Sequence, residues 1–148
     1  MKKVMLMMLC MLMVLAAAIP VCATEWGSED ISIQPRLNNA DDYETLFAIN
    51  ASGMAEVYVH YEGNSSTFTE ITVETYIQKK TLGLFWTKVD IGESNNIWVD
   101  SSTGLTGTFV HTVQLEDTGN YRAVFQITFS RTGGADDVIE DTITCSYE

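Results

Sequence analysis

Several residue types that common functional classes require are scarce in this chain of 148 residues. It contains two histidines, two prolines and three cysteines, and its eight basic residues are outnumbered by twenty acidic ones, which gives a net charge of −12. The shortage of lysine and arginine argues against nucleic-acid binding, because phosphate recognition needs clustered cations, and the same charge predicts repulsion from anionic membranes. The acidity itself is typical of a solvated surface.

The two histidines leave little room for catalysis. A serine or cysteine nucleophile needs a positioned histidine base, but the pattern puts His111 on an apolar strand face and His60 towards solvent. Their separation does not match a zinc motif. We therefore expect a non-catalytic protein with no cofactor. A small hydrolase that uses an unrecognised pair of carboxylates is the third functional alternative.

The acidic residues occur as pairs in predicted turns and do not form a metal-binding motif. Calcium needs several oxygen ligands at one point, and none of the pairs has the alternating spacing of a calcium loop. Asn39, Asp136 and Asp137 would converge only if the fold brought their turns together. We expect solvated turns and no metal site.

The longest hydrophobic run lies at the amino terminus and indicates a secretory signal peptide over residues 1–23. Two lysines precede an apolar segment that ends at Pro20, and small or medium residues then lead to a cleavage site after Ala23. The run is shorter than the about 20 residues of a membrane-spanning helix, and the residues before Cys22 do not fit a lipoprotein signal. We expect a secreted, extracellular protein without a stable membrane anchor, and loss of the leader lysines leaves a net charge of −14.

The place of cleavage decides which disulfide is available. Cleavage after Ala23 leaves Cys145 as the last cysteine, so no disulfide can form within the mature chain. Cleavage after Ala18 keeps Cys22, which could then pair with Cys145. The alternating pattern around Cys145 favours a buried side chain over a thiol that pairs with another molecule.

Residues 24–148 are predicted to form a single all-β domain. Apolar and polar residues alternate with a period of two, valine, isoleucine, threonine and aromatics dominate, and helical periodicity is nearly absent. The predicted strands are Ile31–Leu37, Tyr43–Ile49, Met54–Tyr61, Phe68–Lys80, Phe85–Ile91, Ile97–Val99, Thr108–Leu115, Tyr121–Phe129 and Val138–Tyr147. Short, regularly spaced strands of this kind predict an antiparallel β-sandwich of about seven to nine strands.

One motif indicates the type of sandwich. Asp117, Gly119 and Tyr121 follow the pattern of a tyrosine corner, in which a turn enters a core strand and the tyrosine hydroxyl bonds back to nearby backbone. Ala123 stands where an antibody domain carries the second cysteine of its inter-sheet disulfide. The motif predicts an immunoglobulin-like sandwich without that bridge, and an ordinary acidic turn before a core strand is the simpler alternative.

Several short segments spread over the predicted domain also carry a family resemblance. They are Ile33–Arg36, Gln78–Lys80 with Trp86–Val89, Gly119–Arg122, and the closing strand that ends near Tyr147. Together they resemble small secreted proteins of unknown function from Gram-positive Firmicutes of the Clostridia type. The resemblance implies a leader followed by one β-sandwich and brings no activity, so no catalytic residue follows from it.

The predicted hairpin turn before Trp86 is apolar where a polar turn is expected. It contains Leu82, Leu84 and Phe85, and apolar groups at a loop tip can anchor a partner. These four residues are the candidate surface of an interaction module whose partner is an unknown protein or an envelope polysaccharide. A loop that folds over the sandwich and caps its core with Phe85 and Trp86 is the simpler structural interpretation.

Carbohydrate binding is the alternative function, because flat aromatic side chains can stack on sugar rings. The candidate residues are Trp86, Trp98, Tyr76 and Tyr58. A sugar platform requires them to be exposed and coplanar on one sheet, whereas ordinary packing between strands is the competing explanation.

Overall fold

The computed structural model of the protein describes residues 37–148. The predicted signal peptide and nearly all of the strand predicted at Ile31–Leu37 lie outside these residues. Within them, no helix is both long and apolar enough to cross a membrane. The described strands are β1 (Ala40–Ile49), β2 (Met54–Gly63), β3 (Phe68–Thr81), β4 (Phe85–Lys88), β5 (Trp98–Ser102), β6 (Thr106–Gln114), β7 (Gly119–Arg131) and β8 (Asp137–Tyr147).

The strands form two antiparallel sheets that pack against each other. One sheet has the order β1–β2–β6, and the other has the order β4–β3–β7–β8, with β5 paired to β3 on the same edge as β4. In the strand lettering of immunoglobulin-like sandwiches, the first sheet corresponds to strands A, B and E (β1, β2 and β6). The second sheet contains strands G, F and C (β8, β7 and β3). The predicted all-β sandwich is therefore confirmed.

Alternation along the strands places one face of each sheet in the core. Every second residue of β7, from Tyr121 to Phe129, is buried, while Gln126 on the opposite face is exposed. The two sheets meet through aromatic rings, because Tyr61 of β2 lies with its ring centroid 6.4 Å from that of Phe129. The core is continuous between the sheets and extends along the length of the sandwich.

The segment between β4 and β5 differs from the sequence prediction. The strand predicted at Phe85–Ile91 ends at Lys88, because Gly92 adopts a φ of 79° and its N–H bonds to the Asp90 carboxylate at 3.0 Å. The strand predicted at Ile97–Val99 runs from Trp98 to Ser102. It pairs with β3, so β4 and β5 lie one after the other along a single edge of β3.

Asn39 and Asp137 join the start of β1 to the start of β8. One oxygen of the Asp137 carboxylate accepts the backbone N–H groups of Asn38 and Asn39, both at 2.7 Å. The Asn39 side chain is fully buried and donates to the carbonyl oxygens of Phe129 and Ala135 at 3.2 and 3.0 Å. The fold thus brings Asn39 and Asp137 together, and their polar groups hold the chain in place.

A histidine of β6 joins the two sheets at the edge where β6 meets β5. His111 of β6 stacks on Trp98 of β5 with ring centroids 4.9 Å apart, and its Nε2 lies 2.7 Å from the Asp100 carboxylate. Because β5 and β6 belong to different sheets, this contact connects the two sheets at their edge.

Cys145 lies on the inward face of β8 and is 4% exposed, as the alternating pattern predicts. It is disulfide-bonded. Sequence analysis left a disulfide within the mature chain open only for cleavage after Ala18, which keeps Cys22.

Candidate functional site

The hairpin between β3 and β4 ends in a tight turn with an unusual residue. The Leu84 N–H donates to the Thr81 carbonyl oxygen at 3.1 Å, and the two central residues, Leu82 and Gly83, have φ values of 53° and 68°. Positive φ at both central positions is the geometry that asparagine followed by glycine favours in hairpins. A branched side chain at the first position is strained there by roughly 1–2 kcal/mol.

Replacing Leu82 with asparagine is expected to stabilise the protein. Asparagine tolerates the left-handed backbone and the leucine side chain buries little, so the free energy of unfolding is expected to rise by about 1 kcal/mol. Denaturant unfolding measures the change. Leu84→Asn is the matched control, since Leu84 is also exposed and has no positive φ. An equal response of the two variants would contradict strain at Leu82.

The apolar side chains of this turn are exposed to solvent. Leu82, Leu84 and Phe85 are 88%, 76% and 63% exposed, and Trp86 is half-buried. Phe85 lies opposite Thr81, on the side of β3 that faces the core, but at a level beyond the core itself. The prediction that Phe85 and Trp86 cap the core is therefore wrong. We call Leu82, Leu84 and Phe85 the hairpin tip.

Trp86 faces away from the core, on the outer face of the five-stranded sheet. It lies directly opposite Lys80 on β3, and Lys88 lies opposite Gln78 one step further from the tip. On the other side of β3, Gln78 pairs with Arg122 of β7. The register therefore gathers Lys80, Lys88 and Arg122 around Gln78. We call these three cations, with Trp86 and Tyr76, the cation–aromatic cluster.

The cations of this cluster lie over its aromatic rings. The Arg122 guanidinium carbon lies 4.4 Å from the centre of the Trp86 ring, and the Lys88 Nζ lies 4.5 Å from the centre of the Tyr76 ring. The Lys80 Nζ is 5.8 Å from Trp86. Cations at these distances are attracted by the negative faces of the rings. Each ring therefore already carries a charged group on its surface.

The four aromatic residues predicted as a sugar platform are not gathered on one surface. Tyr76 and Trp86 share the cation–aromatic cluster, but Trp98 is buried against His111. Tyr58 lies on β2, in the other sheet, on the face opposite to the core residues Val57 and Val59. The structure brings together two of the four, and cations cover both.

The tyrosine corner lies beside the base of the hairpin. The Tyr121 hydroxyl donates to the Asp117 carbonyl oxygen at 2.5 Å, which is the bond back to the preceding turn that defines the motif. Burial raises the pKa of Tyr121. A hydrogen bond from Lys79 Nζ to the Asp117 carboxylate, 2.9 Å long, raises the pKa of Lys79. The same end of the sandwich has Gly119 at a φ of 143° where β7 begins.

A cavity of about 380 Å³ lies next to this corner. Lys79, Asp117 and Tyr121 line it, and these three are already bonded to one another. Gln114 also lines it and donates to the carbonyl oxygens of Ser52 and Leu115. The carboxylates of Asp90 and Glu116 complete the polar lining, and Asp90 accepts the Gly92 N–H.

The histidines do not converge on a common site. His60 and His111 lie on opposite faces of the three-stranded sheet, since His111 pairs with the core residue Val57 and His60 with the exposed Thr108. His60 Nδ1 is 3.1 Å from the Thr108 hydroxyl. Across residues 37–148, no group of three histidine, cysteine, aspartate or glutamate side chains is placed to hold a metal ion.

Sequence analysis identified the hairpin tip and Trp86 but missed the three cations beside them. Lys80, Lys88 and Arg122 come from three different strands, and only the register brings them together. A signal was present, because Tyr76, Gln78 and Lys80 have the opposite parity to the core residues Ile71, Val73 and Ile77 of the same strand.

Comparisons with known proteins add no relative. The chain matches no protein-family model, no curated protein and no solved structure.

Proposed function

We propose that the protein is a secreted, non-catalytic recognition module that binds a partner at or beyond the cell envelope. The hairpin tip, with Trp86 beside it, is the binding surface. Secretion rests on the predicted signal peptide over residues 1–23. The absence of catalysis is supported by the positions of His60 and His111 on opposite faces of one sheet.

The observation that carries the proposal is the exposure of three large apolar side chains on a tight turn. A solvated hairpin turn gains nothing from Leu82, Leu84 and Phe85, and their contact with water is unfavourable. The backbone of Leu82 adds to this cost, because its positive φ disfavours a leucine. A costly local arrangement that contributes nothing to the core is typical of binding sites.

The proposal predicts that loss of the tip removes partner capture and leaves the fold intact. The double variant Leu84→Ser with Phe85→Ser is expected to melt within a few degrees of the parent, because both side chains lie outside the core. Capture from culture supernatant and from cell envelope is expected to fall at least about tenfold, since apolar anchors dominate interface energies. Pull-down with the purified parent and variant proteins, followed by quantification of each captured species, makes the comparison.

The matched control is Leu46→Ser with Val138→Ser. These residues are also apolar and exposed, and they lie on β1 and β8, away from the hairpin. Specific capture should survive in this control. If both double variants lose the same species, the capture reflects general surface hydrophobicity and the proposal is wrong. A fall in melting temperature of many degrees for the tip variant would show that the turn has a structural role, and it would contradict the proposal.

No specific observation favours either alternative function, the sugar-binding module or the hydrolase. A sugar module needs open ring faces, but Arg122 covers Trp86 and Lys88 covers Tyr76. A hydrolase needs two carboxylates that face each other across a cleft. Of the three carboxylates that line the cavity, Asp117 is paired with Lys79 and Asp90 accepts the Gly92 N–H.

A further inference from the structure

We propose that the cation–aromatic cluster binds an acidic segment of a partner protein, laid across the outer face of β4, β3 and β7. The inference rests on the proposed recognition function and names its partner chemistry. The hairpin tip would supply apolar contact at one end of the surface. Lys80, Lys88 and Arg122 would bind carboxylates behind it.

The first argument is that these cations lack acidic partners in an acidic protein. The described residues contain five lysines and arginines, and three of them are in this cluster. No described carboxylate lies within ion-pair distance of any of the three, whereas Lys79 is paired with Asp117. With twenty acidic residues in the chain, pairing each cation would be easy. Three like charges are instead held close together, which is unfavourable until an anion arrives.

The second argument is that the Arg122 guanidinium is already fixed in an orientation that can bind a carboxylate. Its Nε donates to the Gln78 side-chain oxygen at 2.7 Å, and its guanidinium lies on the Trp86 ring. These two contacts fix the plane of the group. A guanidinium can bind a carboxylate through two parallel hydrogen bonds, and a fixed one loses less conformational freedom on binding. Trp86, Arg122 and Tyr76 are also residue types enriched where protein interfaces bind most strongly.

The geometry favours a protein segment over the other anionic partners. An acidic polysaccharide would gain from stacking on aromatic rings, but cations cover the faces of Trp86 and Tyr76. A membrane approached by the hairpin tip would also meet carboxylates. Glu116 and Asp117 lie in the turn before β7, and Glu148 follows the residue that pairs with Gly119, all at the tip end of the sandwich.

The test uses poly-L-glutamate as the probe and compares three single variants with the parent. Arg122→Lys keeps the charge but loses the planar group, and Lys88→Gln removes one cation of the cluster. Arg131→Gln is the control, because it removes a cation at the far end of β7. We expect the parent to bind at low ionic strength, with at least about tenfold weaker binding for Arg122→Lys and Lys88→Gln and unchanged binding for Arg131→Gln. Melting curves verify that each variant is folded.

Two further probes decide the class of partner. Phosphatidylcholine vesicles with and without phosphatidylglycerol represent a lipid surface, and polygalacturonate represents an acidic polysaccharide. Equal or tighter binding of either one than of poly-L-glutamate would overturn the assignment to a protein segment. Failure of the parent to bind poly-L-glutamate would overturn it as well, as would equal binding by the parent and Arg122→Lys.

Failure of this inference is distinguishable from failure of the proposed function. The hairpin-tip variant tests the function in the pull-down, whereas Arg122→Lys tests the acidic partner. If the tip variant loses capture while Arg122→Lys captures the same species as the parent, the recognition function stands and the acidic partner is rejected.

Discussion

Replacing Phe129 with alanine is expected to lower the free energy of unfolding by about 3–5 kcal/mol. Its side chain is fully buried, and its ring centroid lies 6.3 and 6.4 Å from those of Phe68 and Tyr61. The substitution opens a cavity between the sheets that these rings cannot fill. This is a large fraction of the about 5–15 kcal/mol by which a typical domain is stable, and the melting temperature should fall by roughly 10–20 °C.

Phe85→Ala is the matched control for this prediction. It removes the same side chain from the same sheet, but Phe85 is exposed at the hairpin tip. The expected change in unfolding free energy is within about 0.5 kcal/mol. Thermal and denaturant unfolding of both variants measure the contrast. Comparable destabilisation by the two substitutions would mean that the hairpin tip belongs to the core, which would also remove the basis of the recognition proposal.

Replacing Asn39 with alanine is the second large effect that we expect, a loss of about 2–3 kcal/mol. The variant lacks the two N–H donors that bind the carbonyl oxygens of Phe129 and Ala135. The Phe129 carbonyl is buried, so it cannot recover its lost bond from water and carries the cost of desolvation. Asn39 itself is fully buried, which leaves a small void as a further cost.

Asn38→Ala provides the comparison for Asn39. Asn38 is the neighbouring asparagine, it is exposed, and only its backbone N–H bonds to Asp137. Its substitution should therefore change the unfolding free energy by less than about 0.5 kcal/mol. Denaturant unfolding of the two variants side by side tests this. Similar values for both would show that the Asn39 side chain does not join β1 to β8.

The strands were predictable because their alternation is strong. The inward face of β7 is apolar at every second residue from Tyr121 to Phe129, and all described long strands begin and end within a few residues of their predicted limits. The exceptions lie between β4 and β5, where the positive φ angles of Gly92, Asn95 and Asn96 turn the chain. Apolar residues such as Ile91 and Ile97 continue the strand-like pattern through this turn, so composition alone placed the strand limits wrongly.

Contacts between distant segments were much harder to predict than the strands themselves. Asn39 and Asp137 are separated by most of the domain, and only the packing of β1 beside β8 makes them neighbours. Arg122 meets Trp86 across the whole width of β3, which requires the register of two strand pairs. A residue pattern within one strand gives the face of a side chain but not its neighbours on other strands. The hairpin tip was accessible to sequence analysis because its residues are consecutive.

The charge of the molecule is distributed asymmetrically over its surface. Lys80, Lys88 and Arg122 share one outer face of a chain whose net charge is −12, so the protein carries a dipole as well as a net charge. An acidic partner that approaches from most directions would be repelled. It would be attracted only within about 8 Å of this face, which is the screening length at physiological salt. Encounters would therefore begin from a narrow range of mutual orientations. Added salt would weaken the attraction at this face, and association would slow as the ionic strength rises.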